Sequence, residues 1–259
     1  MWIGFILLVG ASSAWALPDQ AKQCLDCHSD PDEATVPDLD LYDQSVHEGM
    51  DCTDCHEGTD KDPHPGNPMK VSCLDCHEEV EEDFSGSSHG QNLIKEKGSL
   101  AKACAVCHGP AHNMLPLKNP LSPVARVNQI KICGECHKDT KSPTEIAAVS
   151  HPLDSYLMSI HGELNAEGNE DAALCSDCHG VHNIRPKNDP LSQVFAANIP
   201  ETCGACHEKE EKHYMESIHG IALADGVREA PTCTDCHGEH VIRPPDEEGS
   251  RVSAAHISQ

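Results

Sequence analysis

Apolar residues are unevenly distributed along this chain. Residues 2–17 are almost wholly apolar, whereas the rest is polar, with short helical segments separated by linkers rich in Pro, Asp and Asn. No segment shows the alternation of apolar and polar residues that is typical of a strand. The pattern therefore predicts a mostly irregular chain with short α-helices and little or no β-sheet.

The N-terminal apolar run has the features of an export signal. Ala14-Trp15-Ala16 matches the small-x-small cleavage pattern, which predicts a signal peptide over residues 1–16. The run is shorter than the roughly 20 residues that a membrane span needs. Because its start lacks a positive charge, a short retained anchor is the alternative. Both interpretations predict an exported protein, periplasmic or extracellular.

The composition leaves little material for an ordinary core. Aromatic residues make up 3% of the chain, against 16 cysteines and 19 histidines. Buried apolar area is the main force that opposes chain entropy, so such a chain is either disordered or built around a non-protein core.

The cysteines decide between these alternatives. All sixteen lie in eight Cys-x-x-Cys pairs, and histidine follows every pair, which is the signature of covalent c-type haem attachment. Zinc knuckles and disulfides are the alternatives, but neither requires histidine at that position. The predicted attachment residues are Cys24, Cys27, Cys52, Cys55, Cys73, Cys76, Cys104, Cys107, Cys133, Cys136, Cys175, Cys178, Cys203, Cys206, Cys233 and Cys236. The predicted proximal iron ligands are His28, His56, His77, His108, His137, His179, His207 and His237.

The motifs form a fourfold repeat within residues 17–244, followed by an acidic tail over 245–259. The repeats span 24–64, 73–112, 133–182 and 203–240, and each contains a haem motif, a Ser-x-His segment, a second motif and a further histidine. An aromatic residue stands five positions before each Ser-x-His histidine, at Tyr42, Phe84, Tyr156 and Tyr214. We expect this aromatic to pack against a haem. The glycines directly after three of these histidines predict a left-handed helix end there; they are Gly90, Gly162 and Gly220.

The repeat selects eight further histidines, one for each iron. These predicted distal ligands are His47, His64, His89, His112, His161, His182, His219 and His240. The methionines that could compete with them hold no common repeat position. The expected target of His64 is the second haem of the first repeat, with His151 as the alternative ligand. His213 and His256 are left over, and Arg185 and Arg243 either contact haem propionates or are exposed.

Motif, repeat and ligand count together resemble the bis-histidine multihaem cytochromes c, over residues 24–244. The resemblance implies close-packed haems that pass electrons outside the cytoplasm in anaerobic or metal-reducing respiration. Such proteins act as shuttles, as subunits of membrane quinone oxidoreductases or as extracellular haem filaments. Octahaem nitrite, hydroxylamine and tetrathionate enzymes share the haem count, but they are usually longer. Some use Cys-x-x-Cys-Lys, which does not occur here.

An electron carrier with eight haems and no enzymatic activity is therefore expected. A reductase of small nitrogen or sulfur oxyanions, with one open iron, is the alternative. The net charge of −25 disfavours nucleic acid as a partner. It fits basic redox proteins, divalent cations or basic mineral surfaces, or serves solubility alone.

Overall fold

The computed structural model describes residues 19–29, 38–61, 63–64, 71–138 and 151–257. The predicted signal peptide lies outside this part of the chain. Fifteen α-helices are described, of four to ten residues each. They are α1 Asp19–His28, α2 Leu39–Tyr42, α3 Cys52–Cys55, α4 Glu78–Gly86, α5 Ser88–Lys97, α6 Leu100–His108, α7 Gln129–His137, α8 Pro152–Leu157, α9 Ile160–Ala166, α10 Cys175–His179, α11 Ile199–Gly204, α12 Glu208–Met215, α13 Ile218–Ala224, α14 Cys233–His237 and α15 Ala254–Ile257. Single 3-10 turns lie at Cys73–Asp75, Ala111–Asn113, Arg126–Asn128 and Ala196–Asn198.

The described residues contain no strand, which confirms the prediction of short helices without a sheet. They also include no helix long and apolar enough to cross a membrane. The chain divides into two compact units, one formed by 1–72 and 109–116, the other by 73–108 and 117–259. The second repeat contributes to both units. The repeat boundaries therefore remain a prediction about the sequence.

The described part of the polypeptide forms almost no apolar core of its own. In the described ranges, the buried apolar side chains are five alanines and Leu174. Large apolar residues are exposed instead, among them Leu121 at 78% and Leu191 at 69%. Burial of apolar area on this scale cannot offset the entropy of ordering the chain. This fits a core supplied by another group.

Three of the four Ser-x-His segments begin a helix, which corrects the expectation of a helix end after them. In three repeats the serine hydroxyl accepts a hydrogen bond from the backbone N–H three residues later, as an N-cap does. These N-caps are Ser87, Ser159 and Ser217. The following glycines lie in the first helical turn and do not have positive φ. They are required because a Cβ there would collide with the carbonyl group of the aromatic residue, as at Gly162 and Tyr156.

A second repeated structure is the turn after the distal histidine. Asn128 donates its side-chain amide to the carbonyls of Pro120 and Ser122 at 2.7 and 2.8 Å. Asn198 makes the same two bonds one repeat later, at 3.0 and 2.8 Å. His256 occupies the matching place after Ser250, and its Nδ1 lies 2.6 Å from the Ser250 carbonyl oxygen. His256 therefore has a structural role in this turn.

Candidate haem sites

Short helices carry most of the predicted haem motifs. Six of the eight motifs lie at or near the C-terminal end of a helix: α1, α3, α6, α7, α10 and α14. The two cysteines of a motif are three residues apart, so their thiols and the adjacent histidine lie on one side of the helix. In the third and seventh motifs the histidine directly precedes a helix, where His77 and His207 are the N-cap residues.

An aspartate fixes the start of three second-motif helices. Its carboxylate accepts a hydrogen bond from the backbone N–H of the residue before the first cysteine, at 3.0, 2.7 and 2.7 Å. These aspartates are Asp54, Asp177 and Asp235. The sequence signal, Cys-Thr/Ser-Asp-Cys, was present, but its capping role was missed.

The repeated aromatic residue anchors the segment that enters the second motif. The three tyrosine hydroxyls donate to carbonyls two residues before the first cysteine of that motif. The pairs are Tyr42 to Met50 at 2.9 Å, Tyr156 to Ala173 at 3.0 Å and Tyr214 to Pro231 at 3.0 Å. Burial raises the pKa of Tyr156 to about 12, so the hydroxyl remains a donor at neutral pH. Packing of these rings against a haem remains a prediction.

Arg126, which precedes the third repeat in the sequence, forms hydrogen bonds to the second motif of that repeat and to the segment before it. Its guanidinium donates to both carboxylate oxygens of Asp177, at 2.9 and 3.2 Å. It also donates to the carbonyls of Glu170 and Ala172, at 3.0 and 2.7 Å. Burial raises the pKa of the Asp177 carboxyl, but hydrogen bonds from Arg126 and the Leu174 N–H outweigh it, and the pKa lies below its usual value. Arg185 and Arg243 face acids four residues onward, Asp189 and Glu247.

Six pairs of histidine rings face each other at nearly constant separation. Each pair contains one motif histidine and one predicted distal ligand, with ring centroids 5.8 to 6.1 Å apart. The pairs are His28–His64, His56–His112, His89–His137, His108–His182, His161–His207 and His179–His240. Two metal–nitrogen bonds of about 2 Å, with about 1.1 Å from each nitrogen to its ring centre, place coaxial rings about 6.2 Å apart. The pairs therefore fit a haem iron held between them.

The pairs do not follow the expectation for His64. It lies against His28, the first-motif histidine, at 5.8 Å, whereas His56 lies against His112 of the next repeat. The expectation that His64 serves the second haem of the first repeat is wrong in this geometry. In the three later repeats the second-motif histidine and the next histidine are only three or four positions apart, as at His179 and His182. Such a segment spans at most about 10–14 Å, too short to pass around a macrocycle and approach its opposite face.

The remaining histidines occupy distinct environments. The Nδ1 of His47 lies 3.0 Å from the Ala111 carbonyl oxygen, a contact that orients the ring. His151 lies 3.5 Å from Asp154, and His213 is exposed on α12. His219 and His237 are exposed, and neither ring has a ring partner among the described residues.

Burial favours the neutral form of seven of the paired histidines, the form that metal ligation requires. Removal from solvent is the main cause that lowers the pKa of seven of them, and the charge of a neighbouring histidine lowers several further. These seven are His89, His108, His112, His161, His179, His182 and His240. The Nδ1 of His240 is buried without a hydrogen-bond partner.

The cysteines show which motifs are neighbours. Within each repeat the first cysteines of the two motifs interact directly: Cys24–Cys52, Cys73–Cys104, Cys133–Cys175 and Cys203–Cys233. Between repeats of the larger unit, Cys107 lies near Cys133 and Cys136, and Cys178 lies near Cys203 and Cys206. From the third motif to the eighth, consecutive motifs are therefore spatial neighbours.

Short helices that present paired thiols beside histidine pairs spaced for iron define a multihaem c-type cytochrome. A family model described as cytochrome c7 and related cytochrome c matches residues 11–78 and 159–238, together more than half of the sequence. The chain belongs to this family. Its members bind c-type haems covalently, transfer electrons and are typically exported to the periplasm. No curated protein and no solved structure matches the sequence.

Proposed function

We propose that this chain transfers electrons through eight covalently bound c-type haems in extracytoplasmic respiration. The single observation that carries the proposal is the set of six histidine pairs, each joining a motif histidine to one outside the motifs. The haem supplies the redox chemistry, since its iron takes up and releases one electron. The chain supplies the thiols, both axial imidazoles and the order of the sites.

Two imidazoles per iron favour electron transfer over substrate chemistry. With haem bound, a histidine on each face would leave no position for a small molecule and would keep the iron low-spin in both oxidation states, so little rearrangement would accompany each electron. Paired histidines also give lower potentials than histidine with methionine. The contact between His47 Nδ1 and a backbone carbonyl is the kind of outer contact that orients such a ligand.

The order of the motifs supports passage of electrons along the chain. Cysteines of consecutive motifs interact from Cys73 through Cys233 in the larger unit, and Cys24 interacts with Cys52 in the smaller one. Attachment points this close bring neighbouring macrocycles near each other. The protein then acts as a shuttle, a complex subunit or a filament protomer. Its charge of −25 favours basic redox partners or a cationic extracellular acceptor.

One observation favours a second candidate function. His237 is exposed and has no ring partner among the described residues, unlike the second-motif histidines of the other three repeats. An iron bound there by a single histidine could bind a small nitrogen or sulfur oxyanion and reduce it.

Spectroscopy of the native holoprotein tests the proposed function. We expect reversible reduction in several overlapping low-potential steps, because close haems influence one another's charge. We also expect low-spin ferric signals from the paired sites and no turnover of nitrite, hydroxylamine or tetrathionate. Predominantly high-spin iron, or steady consumption of one of these compounds, would contradict an electron carrier.

A further inference from the structure

Successive repeats are joined by a recurring backbone hydrogen bond. The middle residue of a Ser-x-His segment donates its N–H to a carbonyl two residues past the distal histidine of the next repeat. The three bonds, all 2.8 Å, join Val46 to Met114, Ser88 to Ile184 and Ile160 to Ile242.

The histidine pairs follow the same rule. A Ser-x-His histidine faces the first-motif histidine of the next repeat, as His89 faces His137 and His161 faces His207. In the opposite direction, the histidine after a second motif faces the second-motif histidine of the preceding repeat, as His240 faces His179. The junctions between the second and third repeats and between the third and fourth repeats therefore each contain one histidine pair in either direction.

The fourth repeat has both parts of a junction, but neither part has a partner among the described residues. Ser217 caps α13 as Ser159 caps α9, and Tyr214 anchors the entry to its second motif as Tyr156 does in the third repeat. Yet Ile218 is 78% exposed, and its N–H has no acceptor among the described residues.

The two histidines of this open junction also have no ring partner in the part of the chain that the structure describes. His219 is exposed, whereas His89 and His161 are half-buried against their partners. His237 is likewise exposed, whereas His108 and His179 are half-buried. The local fold matches the third repeat, where the corresponding histidines pair with residues of another repeat. We therefore do not expect His219 to pair with His237 of its own repeat.

The first repeat has the complementary deficit. In the structure the His28 ring pairs with His64 of its own repeat, whereas the first-motif histidines His137 and His207 each pair with a Ser-x-His histidine of the preceding repeat. His64 follows a second motif, as His182 and His240 do. Those two histidines pair with the preceding repeat, whereas His64 lies against His28.

We propose that the fourth repeat of one copy docks head-to-tail on the first repeat of a second copy. His219 ligates the haem of His28 in the next copy, and the released His64 ligates the haem of His237. This deepens the proposed function and rests on it, because it extends the sequence of haems across copies. Apolar side chains exposed around the junction, Ile218, Ile221 and Val227, become covered.

The test uses the purified holoprotein across a wide range of concentration, at moderate salt to screen repulsion between acidic copies. Sedimentation velocity measures assembly, and carbon monoxide binding to the reduced protein measures open iron. We expect the dilute wild type to bind carbon monoxide at one of its eight haems. We expect this binding to disappear as head-to-tail oligomers form.

Two variants act on the junction and one serves as a matched control. His219→Ala removes the ligand, and Ile218→Glu places a charge on an exposed residue that folding does not need. Both should remain monomeric with one open haem at all concentrations. His213→Ala changes an exposed histidine on the preceding helix and should assemble like the wild type.

Three results would overturn the proposal. They are a wild type that stays monomeric and closed, one that stays monomeric with an open haem, and a His219→Ala variant that assembles normally. The last result would make the junction independent of this ligand. Haem content by mass and reversible reduction, measured on the same samples, report separately on the proposed function. That function can therefore stand when the junction fails.

Discussion

Replacing Arg126 with Ala removes the most extensive side-chain contact of the third repeat. Four hydrogen bonds disappear, two to the Asp177 carboxylate and two to backbone carbonyls. A hydrogen bond contributes about 0.5–1.5 kcal/mol to the free energy of unfolding. An exposed ion pair contributes near the low end of that range. The two side chains are 42% and 35% exposed. We therefore expect a loss of about 2 kcal/mol of unfolding free energy.

Thermal unfolding of the holoprotein, followed by circular dichroism, measures this loss. At about 2–4 °C per kcal/mol for a chain of this size, the midpoint should fall by about 4–8 °C. Arg126→Lys should recover little, because one ammonium cannot reach a carboxylate and two carbonyls together. Lys131→Ala, an exposed change on the adjacent helix α7, is the control and should leave the midpoint within about 1 °C. An Arg126→Ala midpoint equal to that of the control would refute the reasoning.

Three further predictions concern ligation, the turns and folding. His182→Ala should make the haem of His108 high-spin and leave that of His179 low-spin, which site-resolved NMR can distinguish; the reverse would mean pairing within the repeat. Asp189→Asn should retain the hydrogen bond from the Leu191 N–H, as Asn119 does one repeat earlier. The hydrogen bond from the Leu191 N–H, followed by Arg185, lowers the pKa of Asp189 in the folded protein. The ionised carboxylate therefore stabilises the fold at pH values above the pKa of the unfolded chain, and this stabilisation is lost as the pH falls through the lower pKa of the folded protein. The variant should lose this dependence below about pH 4 in acid-unfolding curves, and an unchanged curve would count against it. The haem-free chain, made by Cys→Ala changes in several motifs, should show no cooperative thermal transition by circular dichroism, whereas a sharp one would reveal a polypeptide core.

The chemistry of this protein is local in sequence and could be predicted from it. A Cys-x-x-Cys-His motif brings both thiols and an imidazole together within little more than one helical turn, so no long-range information is needed. The same holds for the short helices and for the lack of strands among the residues that the structure describes, since both follow from the pattern of apolar and polar positions. The predicted distal histidines include all six that the structure pairs with motif histidines.

The partner of each histidine could not be predicted, because pairing is a long-range property. His182 stands three residues from His179 yet faces His108. Gly180, at φ +77°, turns the chain away from the haem-binding helix. The sequence shows a repeat but not that ligands cross from one repeat to the next.

The Ser-x-His-Gly segments were misinterpreted for a physical reason. Glycine after a helix commonly marks its left-handed end. A serine whose hydroxyl accepts a hydrogen bond from the backbone N–H three residues later marks the start of a helix, as its N-cap. Here one helix ends at Gly86 and the next begins at Ser88, so both signals overlap. Gly90 is needed because the carbonyl group of Phe84 approaches its Cα, a contact that only the folded chain shows.

Intact mass spectrometry of the denatured holoprotein tests the central claim most directly. Eight Cys-x-x-Cys-His motifs predict eight covalently bound haems, in a chain whose described residues bury only five alanines and one leucine as apolar side chains. The mass of a fully matured sample should equal the mature chain plus eight haems, none of them extractable by organic solvent. A mass that corresponds to seven or fewer haems would contradict the account.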